Sequence, residues 1–481
     1  MAHLHLGKCK ILHIERPLFM YHPPDFLTAL RNEFADWRVW KDRFVVLLFA
    51  ALTGLTVVVF TWLSEHALDY FFELHQKYFW LPVVWTPALT VGIVFVSRRF
   101  APGVAGSGIP QVMAALSPQT PRHQRSIFIS LKLSLTKIVL TAAGLLAGLS
   151  LGREGPSVQI AAGVMHNARR WLSETSLIKD SGLILAGGAA GIAAAFNTPL
   201  GGVMFAIEEL SRRPEDRRSG LLLAAIILAG LIAVSVHGNA TYFGIMRVDR
   251  IGWALLIPGM VVSVLCGIFG GLFARLLIYS LHTTSTIWIH RFRRQAPLRF
   301  AALCGLAIAV IGMSTQGATF GSGYAHTRGM LDSTDHLSQI YVVFKIVVTW
   351  LTTWAGVPAG IFAPSLAIGA AMGNDVANVF QYHNAPTLIA LGMAGFLAAV
   401  TQAPLTAFII VMEMVTGHEL VLSLMASALV ASGLSRLISQ PLYSALTQSQ
   451  LTRLPKSEVK ENVQAAQKPS AQAAMHSNGH S

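Results

Sequence analysis

Long apolar segments dominate the pattern of hydrophobic and polar positions along the chain. Three of them reach the roughly 20 residues that a helix needs to cross a bilayer, at 45–63, 127–149 and 253–281. Other apolar segments are short or interrupted by Gly and Pro, at 183–196, 199–207 and 364–373. Interrupted segments predict tilted or half-spanning helices inside a bundle, where neighbouring protein satisfies the freed backbone groups.

The composition favours an all-α polytopic membrane protein over a large soluble enzyme. Of the 481 residues, 53% are hydrophobic and only 12% are charged, whereas a soluble domain carries about 25% charged residues. The first 42 residues are polar and mixed, which does not fit a cleavable signal peptide. The net charge of +13 is concentrated in basic flanks at both ends, so we expect both termini to face the cytoplasm. We expect no nucleic-acid partner, because the basic residues lie at membrane edges and form no aromatic-interleaved patch.

The chain contains an internal repeat. LTKIVLT at 135–141 returns as VFKIVVT at 343–349, and GREGPSVQIAA at 152–162 returns as GIFAPSLAIGA at 360–370. PLGGVMFAIEE at 199–209 likewise matches PLTAFIIVMEM at 404–414, and GSG occurs at both 106–108 and 321–323. The predicted organisation is a cytoplasmic N-terminal segment at 1–42, a first transmembrane repeat at 43–240, a second at 241–450, and a disordered cytoplasmic tail at 451–481.

Two such halves are typical of secondary transporters and related channels, whose sites lie between the repeats at broken helices. Gly155-Pro156 predicts the start of a helix, with Glu154 just before it; Pro364 and Pro110 predict two further starts. Each start leaves unpaired N–H groups and about half a positive charge. Three converging starts would form an anion site that needs no fully charged cation. A full positive charge would hold the ion too tightly for turnover.

Glu154 has a definite role at such a site. An ionised carboxylate can occupy an anion site and block it, whereas a protonated one is neutral and can swing away. The alternative is that Glu154 only caps a helix or pairs with Arg153. A similar choice applies to Lys137 and Lys345, equivalent positions of the repeat: each either acts on the pore or snorkels to an interface.

Four motifs together resemble the CLC chloride channels and transporters: GSGIP (106–110), GREGP (152–156), GIFAP (360–364) and PLYSAL (441–446). They occur in the family's order, and the resemblance covers roughly residues 40–450. It implies the CLC fold, with two inverted-topology repeats of tilted and broken helices and a homodimer with one pore per subunit. No paired cystathionine-synthase-type domain follows the pore region, which is similar to prokaryotic-type members.

The resemblance also implies roles for individual residues. The chloride ligands would be the hydroxyls of Ser107 and Tyr443 and the backbone N–H groups of Ile361 and Phe362. Glu154 would be the external gating glutamate. Glu209 matches the internal proton-transfer glutamate of exchangers, where passive channels commonly have a nonpolar residue. Because Ser107 and Tyr443 match the residues of chloride-transporting members of the family, chloride is the expected anion.

The expected function is therefore chloride/proton antiport across the cell inner membrane, with protons and chloride as the transported partners and no cofactor. The alternative is a voltage- or pH-gated passive chloride channel on the same fold. An intramembrane enzyme using Glu154, Glu208 or Glu209 is disfavoured, because no nucleophile–base or metal-ligand pair accompanies these acids. For Glu208 we expect a helix end at the surface, for Glu413 a structural pairing, and for the second GSG a plain turn.

Two further groups of residues are expected to have no role in transport. His3, His5, Cys9 and His13 match no metal site, so no metal is expected. Cys266 and Cys304 are expected to be small core residues.

Overall fold

The computed structural model describes residues 37–210, 220–238, 242–244, 252–281, 287–335, 339–415, 417–452 and 454. The predicted N-terminal segment lies almost wholly outside the described residues, together with the four residues considered for metal binding. The predicted tail, apart from 451, 452 and 454, also lies outside them, as does the boundary predicted between residues 240 and 241.

The described residues of the first half form eight α-helices, with a tight break between the sixth and the seventh. They are α1 (Trp37–Lys77), α2 (Pro82–Phe100), α3 (Ile109–Leu116), α4 (Leu131–Leu146), α5 (Glu154–His166), α6 (Asp180–Phe196), α7 (Pro199–Phe205) and α8 (Gly220–His237). A π-helical stretch, Ala206–Leu210, continues α7. α1 begins six residues before the predicted start of the first repeat at residue 43.

The second half repeats the series with one inserted helix and one added at the end. Its helices are α9 (Leu256–Leu281), α10 (Trp288–Gln295), α11 (Pro297–Ser314), α12 (Tyr324–Leu331), α13 (Tyr341–Ala355), α14 (Phe362–Phe380), α15 (Ala385–Thr401), α16 (Pro404–Met414), α17 (Val421–Ile438) and α18 (Leu442–Leu451). α10 is the inserted helix, and α18, which contains most of PLYSAL, is the added one.

The breaks in the two halves have the same construction. Asn197 follows the last residue of α6 and Gln402 follows the last residue of α15, and both adopt a left-handed conformation with φ 59°. A proline two residues later opens the next helix in each case, at Pro199 and Pro404. The local rule is that a left-handed residue closes a helix, while proline fits the first turn because it needs no N–H acceptor there.

Six helical segments of the described residues are long and apolar enough to cross a membrane. They are Trp37–Lys77, Pro82–Phe100, Arg122–Leu146, Trp253–Leu281, Pro297–Ser314 and Val421–Ile438. The first spans 41 residues, far beyond the apolar core predicted at 45–63. The segment predicted to be short, 364–373, belongs to a 19-residue helix, Phe362–Phe380. The glycines inside this helix do not end it.

Small residues let the central helices pack against each other at backbone distance. A side chain at Gly191 of α6 would meet the carbonyl of Ser157 in α5, and one at Gly392 of α15 would meet the carbonyl of Gly369 in α14. Packing of this kind is common in membranes, where close backbone approach replaces the hydrophobic drive. It places the starts of α5 and α14 in the middle of the protein.

Candidate functional site: a buried anion pathway between the repeats

The starts of α5 and α14 are tied together by a two-residue bridge between the repeats. The N–H of Gly152 donates to the carbonyl of Gly360 at 2.8 Å, and the N–H of Gly360 donates back to the carbonyl of Gly152 at 3.1 Å. α5 then begins at Glu154 and α14 begins at Phe362. The helices thus begin two residues earlier than the prolines alone predict, so Glu154 is the first residue of its helix.

Glu154 is fully buried, and its carboxylate lies against the first turn of the opposite helix. Oε2 accepts a hydrogen bond from the N–H of Ala363 at 3.4 Å, which is long. No hydrogen bond to Oε1 is found among the described residues. The carboxylate is therefore weakly held at the positive end of α14, where unpaired N–H groups attract an anion.

Arg153 turns away from the neighbouring Glu154. Its Nη1 donates to Glu65 Oε1 at 2.6 Å, and its Nη2 donates to the Tyr242 hydroxyl at 3.3 Å. The alternative in which Glu154 forms an ion pair with Arg153 is therefore wrong for this conformation. The sequence interpretation overlooked Glu65, although an acid inside the long α1 helix is the kind of residue that marks an ion pathway.

The Ser107 loop is held from beneath by two long polar side chains. Gly108 N–H donates to Gln111 Oε1 at 3.0 Å, and Gln111 Nε2 donates to the Ala105 carbonyl at 2.6 Å. Lys137 Nζ donates to the carbonyls of Val104 at 2.7 Å and Gly106 at 2.6 Å. These bonds satisfy the carbonyls of Val104, Ala105 and Gly106, and they do not involve the Ser107 hydroxyl.

The second lysine repeats this arrangement in the other half. Lys345 Nζ donates to the carbonyls of Thr319 at 3.0 Å and Gly321 at 2.8 Å, beneath the second GSG. Both lysines are 0% exposed, so the snorkelling alternative is wrong. A buried cation needs several acceptors, and the two loops provide them. The second GSG forms a turn with positive φ at Gly321 and Gly323, as predicted.

Ser107 and Tyr443 form the wall of one cavity. Tyr443 is fully buried at the start of α18, and its ring stacks on Phe362, with centroids 6.1 Å apart and an interplanar angle of 18°. The Ser107 side chain lies within hydrogen-bonding range of the Tyr443 phenol, and within the described part of the chain neither hydroxyl has any other partner. A cavity of about 90 Å³, here named the Tyr443 cavity, is lined by both residues and by Ile361.

A second cavity reaches Glu154. It has a volume of about 430 Å³ and is here named the Glu154 cavity. Its lining includes Arg153, Glu154, Glu65, Asp69, Tyr242, Ser322 and His326. A side chain added to Gly155, next to Glu154, would meet the Ser107 hydroxyl. The residue after Glu154 therefore packs against Ser107, which lines the Tyr443 cavity.

Glu208 on the π-helical stretch and Glu413 in α16 have equivalent surroundings. Glu208 accepts from the N–H groups of Leu405 at 3.1 Å and Thr406 at 2.6 Å. Its repeat mate Glu413 accepts from Leu200 at 3.2 Å and Gly201 at 2.7 Å. Each acid thus caps the first turn of the equivalent helix in the other repeat.

The capping confirms the structural role expected for Glu413 and corrects the surface role expected for Glu208. Glu208 is only half-exposed, because its carboxylate is committed to the start of α16. Glu209 follows it on the π-helical stretch, is also half-exposed, and lies within electrostatic range of the Tyr443 phenol. Cys266 and Cys304 are buried, as expected of core residues. Among the described residues no cluster of His, Cys, Asp and Glu has the geometry of a metal site.

Inward-facing helix starts, broken helices and a doubled architecture define a polytopic membrane protein that moves ions. The family model described as "Voltage gated chloride channel" matches residues 88–436, and the chain belongs to this family, the CLC family. The all-α CLC fold predicted from the sequence is confirmed, whereas the homodimer stays a prediction.

Solved structures with the same fold support the assignment. A slow cyanobacterial Cl⁻/H⁺ antiporter is 24% identical with a TM-score of 0.74, covering 86% of this chain and 98% of its own. A eukaryotic CLC transporter is 22% identical with a TM-score of 0.69, covering 86% and 75%. A CLC-type fluoride/proton antiporter is 21% identical with a TM-score of 0.70, covering 85% and 98%.

Proposed function

We propose that the protein is a chloride/proton antiporter of the cell membrane. The observation that carries the proposal is the position of Glu154: a fully buried carboxylate, weakly held against the first turn of α14. An acid in this position is an anion on an anion pathway. It therefore competes with chloride when ionised and leaves the pathway when protonated.

Four groups would bind chloride below this gate. The buried hydroxyls of Ser107 and Tyr443 lie close to each other and have no other protein partner among the described residues, so an anion between them would accept from both. The first N–H groups of a helix have no intrahelical acceptor, which makes those of Ile361 and Phe362 suitable donors at the start of α14. All four are neutral, so chloride is held without the strong attraction that would prevent its release.

Coupling of proton transport to chloride transport requires a proton route that diverges from the chloride route. Glu209 lies on the π-helical stretch beyond Tyr443 and could pass a proton between the interior solution and Glu154. In one half-cycle, the protonated Glu154 releases its position to chloride. In the other, Glu154 loses its proton to the opposite solution and, as a carboxylate, takes the place that chloride leaves. Proton and chloride then move in opposite directions.

A gated passive chloride channel is the alternative function. In that case Glu154 still opens and closes the route, but Glu209 carries no proton. Exchange is favoured because Glu209 is an acid at a position where a nonpolar residue would suffice for a passive channel. Two of the structural relatives described above are also antiporters. We propose no enzymatic activity and no cofactor, since the polar groups of the site only bind and release ions.

The assembly and orientation follow from the same proposal. We propose a homodimer with one pathway per subunit, embedded in the cell (inner) membrane with both termini in the cytoplasm. The exposed leucines of α8 and α17, such as Leu231 and Leu422, would be covered by lipid or by the second subunit. The Tyr443 cavity would open to the cytoplasm and the Glu154 cavity to the outside.

The decisive experiment uses purified protein in liposomes with a chloride gradient and no pH gradient. Antiport predicts that chloride movement drives protons uphill, that Glu154→Ala abolishes this pumping, and that Glu209→Ala abolishes it while chloride still moves. Glu413→Gln, which changes the repeat mate of Glu208 and is expected to act only on structure, serves as the control and should keep pumping. Chloride movement without any pH change in the unmodified protein would establish the channel instead.

A further inference from the structure

The helix inserted into the second half of the chain, α10, carries three arginines. Its sequence is WIHRFRRQ, with Arg291, Arg293 and Arg294 on an eight-residue helix. Arg291 and Arg294 are exposed, whereas Arg293 is half-buried. The difference in exposure separates one arginine from its neighbours.

Arg293 lines the Tyr443 cavity together with Ser107, Ile361 and Tyr443. Of the described residues that line this cavity, Arg293 is the one with a full charge; the others are apolar, hydroxyl or amide residues. Arg291 and Arg294 do not line it. The cavity wall therefore combines neutral chloride donors at one place with a single cation at another.

α10 is firmly attached, so the position of this cation is fixed. Arg293 Nη1 donates to the Ser280 carbonyl at the end of α9, at 3.2 Å. The Ser280 hydroxyl in turn accepts from Trp350 Nε1 of α13 at 2.7 Å. The His290 ring of α10 packs on Trp354 of α13, with centroids 5.8 Å apart. α10 is thus held against two membrane helices, and the Arg293 guanidinium itself contacts the end of α9.

A fixed cation in a narrow opening with low-dielectric walls raises the local concentration of anions and their rate of arrival. Such a group acts best beside the binding groups and outside their immediate contact, because a full charge in the site would slow release. The alternative is that Arg293 only stabilises the end of α9, where a cation favours the helix dipole. That role would give no dependence of transport on ionic strength.

We propose that Arg293 recruits chloride into the Tyr443 cavity and so sets the apparent chloride affinity from that side. The inference rests on the proposed function and adds a specificity-determining residue to it. Chloride delivered by Arg293 passes to the hydroxyls of Ser107 and Tyr443, which complete its binding after the hydration shell is reduced.

The test measures the KM for chloride in proteoliposomes at low and high ionic strength, with an impermeant organic anion as the added salt. Arg293→Gln should raise KM by ~3–10-fold at low ionic strength, and the difference should shrink as salt screens the charge. Arg293→Lys should restore most of the affinity, because it keeps the charge. Arg294→Gln, the matched control on the same helix, should leave KM unchanged.

Gln450, a neutral residue of the same cavity wall, provides a second test that keeps Arg293 in place. Gln450→Glu should raise KM and Gln450→Lys should lower it, both more strongly at low ionic strength. The proposal is overturned if Arg293→Gln and Arg294→Gln have equal effects, if the change in KM is independent of salt, or if the two Gln450 variants behave alike. Absence of chloride transport in the unmodified protein would instead refute the proposed function, whereas coupled transport with an unchanged KM in Arg293→Gln refutes only the role of Arg293.

Discussion

Gly152 and Gly360 exchange two backbone hydrogen bonds across the boundary between the repeats, at 2.8 and 3.1 Å. They occupy equivalent positions of the repeat and form the one isolated bridge in the described residues. The bridge sets the distance between the starts of α5 and α14, and it therefore decides how close the Glu154 carboxylate lies to the first turn of α14. The two halves of the chain thus contribute equivalent residues to the contact that positions the site.

Replacing either glycine of this bridge by alanine should separate the two helix starts. A side chain at Gly360 would lie 2.6 Å from the carbonyl of Gly152, and one at Gly152 would collide with the Glu154 carboxylate. We expect Gly360→Ala to destabilise the protein by ~1–3 kcal/mol through overpacking and to reduce chloride transport strongly. Thermal inactivation in detergent and flux in liposomes measure the two effects.

Gly433→Ala is the control for the bridge glycines. Gly433 lies in α17, and a side chain there meets no atom within 4 Å. The control should retain stability and flux. Equal behaviour of Gly360→Ala and Gly433→Ala would show that the bridge has no part in positioning the site.

The two buried lysines should differ in function although they are alike in structure. Lys137 supports the loop that carries Ser107, whereas Lys345 supports the second GSG, which we expect to bind no chloride. Lys137→Met and Lys345→Met each leave two buried carbonyls without a donor, at a cost of ~1–3 kcal/mol for each unsatisfied group. Both variants should therefore lose stability.

Only Lys137→Met should also weaken equilibrium chloride binding, as measured by calorimetry on the folded fraction at low temperature. This result would follow because the Ser107 hydroxyl loses its fixed position. If both variants weaken binding to the same extent, the loop-specific role of Lys137 is wrong and a general effect of buried positive charge is right.

Much of this architecture could be predicted from the sequence, because its signals are local. The paired breaks at Pro199 and Pro404 and the repeat of Gly152 with Gly360 are visible as residue types at matched positions. The helix starts near Glu154 and Phe362 follow from glycine and proline chemistry, and the error of two residues arises because the first turn can precede the proline.

The partners of the polar groups could not be predicted from the sequence. The pairing of Arg153 with Glu65 joins residues far apart in the chain, and only the packing of α1 against the start of α5 brings them together. The surface position expected for Glu208 was wrong for the same reason: its acceptor role depends on α16, nearly two hundred residues later. The cavity position of Arg293 likewise depends on how α10 packs between α9 and α13.

The reciprocal caps of Glu208 and Glu413 should contribute to stability in similar amounts. Each carboxylate accepts two N–H groups at the start of a helix in the other repeat. A cap of this kind contributes ~0.5–2 kcal/mol, so Glu208→Ala and Glu413→Ala should each lower the temperature of thermal inactivation by a few degrees.

Gln retains one acceptor oxygen, and the two Gln variants should therefore lose less stability than the Ala variants. Glu419→Ala, a change of an exposed acid just before α17, is the control and should have little effect. A large loss for one cap and none for the other would contradict the symmetric role that the hydrogen bonds indicate.

The ion pair between Arg153 and Glu65 should hold the Arg153 guanidinium in one position in the Glu154 cavity. Glu65 is 51% exposed, so the pair itself contributes at most ~1 kcal/mol to stability. Its larger effect is on position, since it draws the guanidinium toward α1 and away from the ion route. Glu65→Gln releases the guanidinium, and we expect a lower KM for chloride entering from this cavity, by ~2–5-fold at low ionic strength.

Asp69→Asn separates this effect from a simple change of charge. Asp69 lines the same cavity one helical turn further along α1, and its replacement removes the same negative charge without releasing Arg153. If release of the guanidinium matters, Glu65→Gln should lower KM distinctly more than Asp69→Asn, and the double variant Glu65→Gln with Arg153→Gln should lose the gain. Equal effects of the two single variants would mean that chloride responds only to the net charge of the cavity, and that the contact between Arg153 and Glu65 has no bearing on how the anion reaches Glu154.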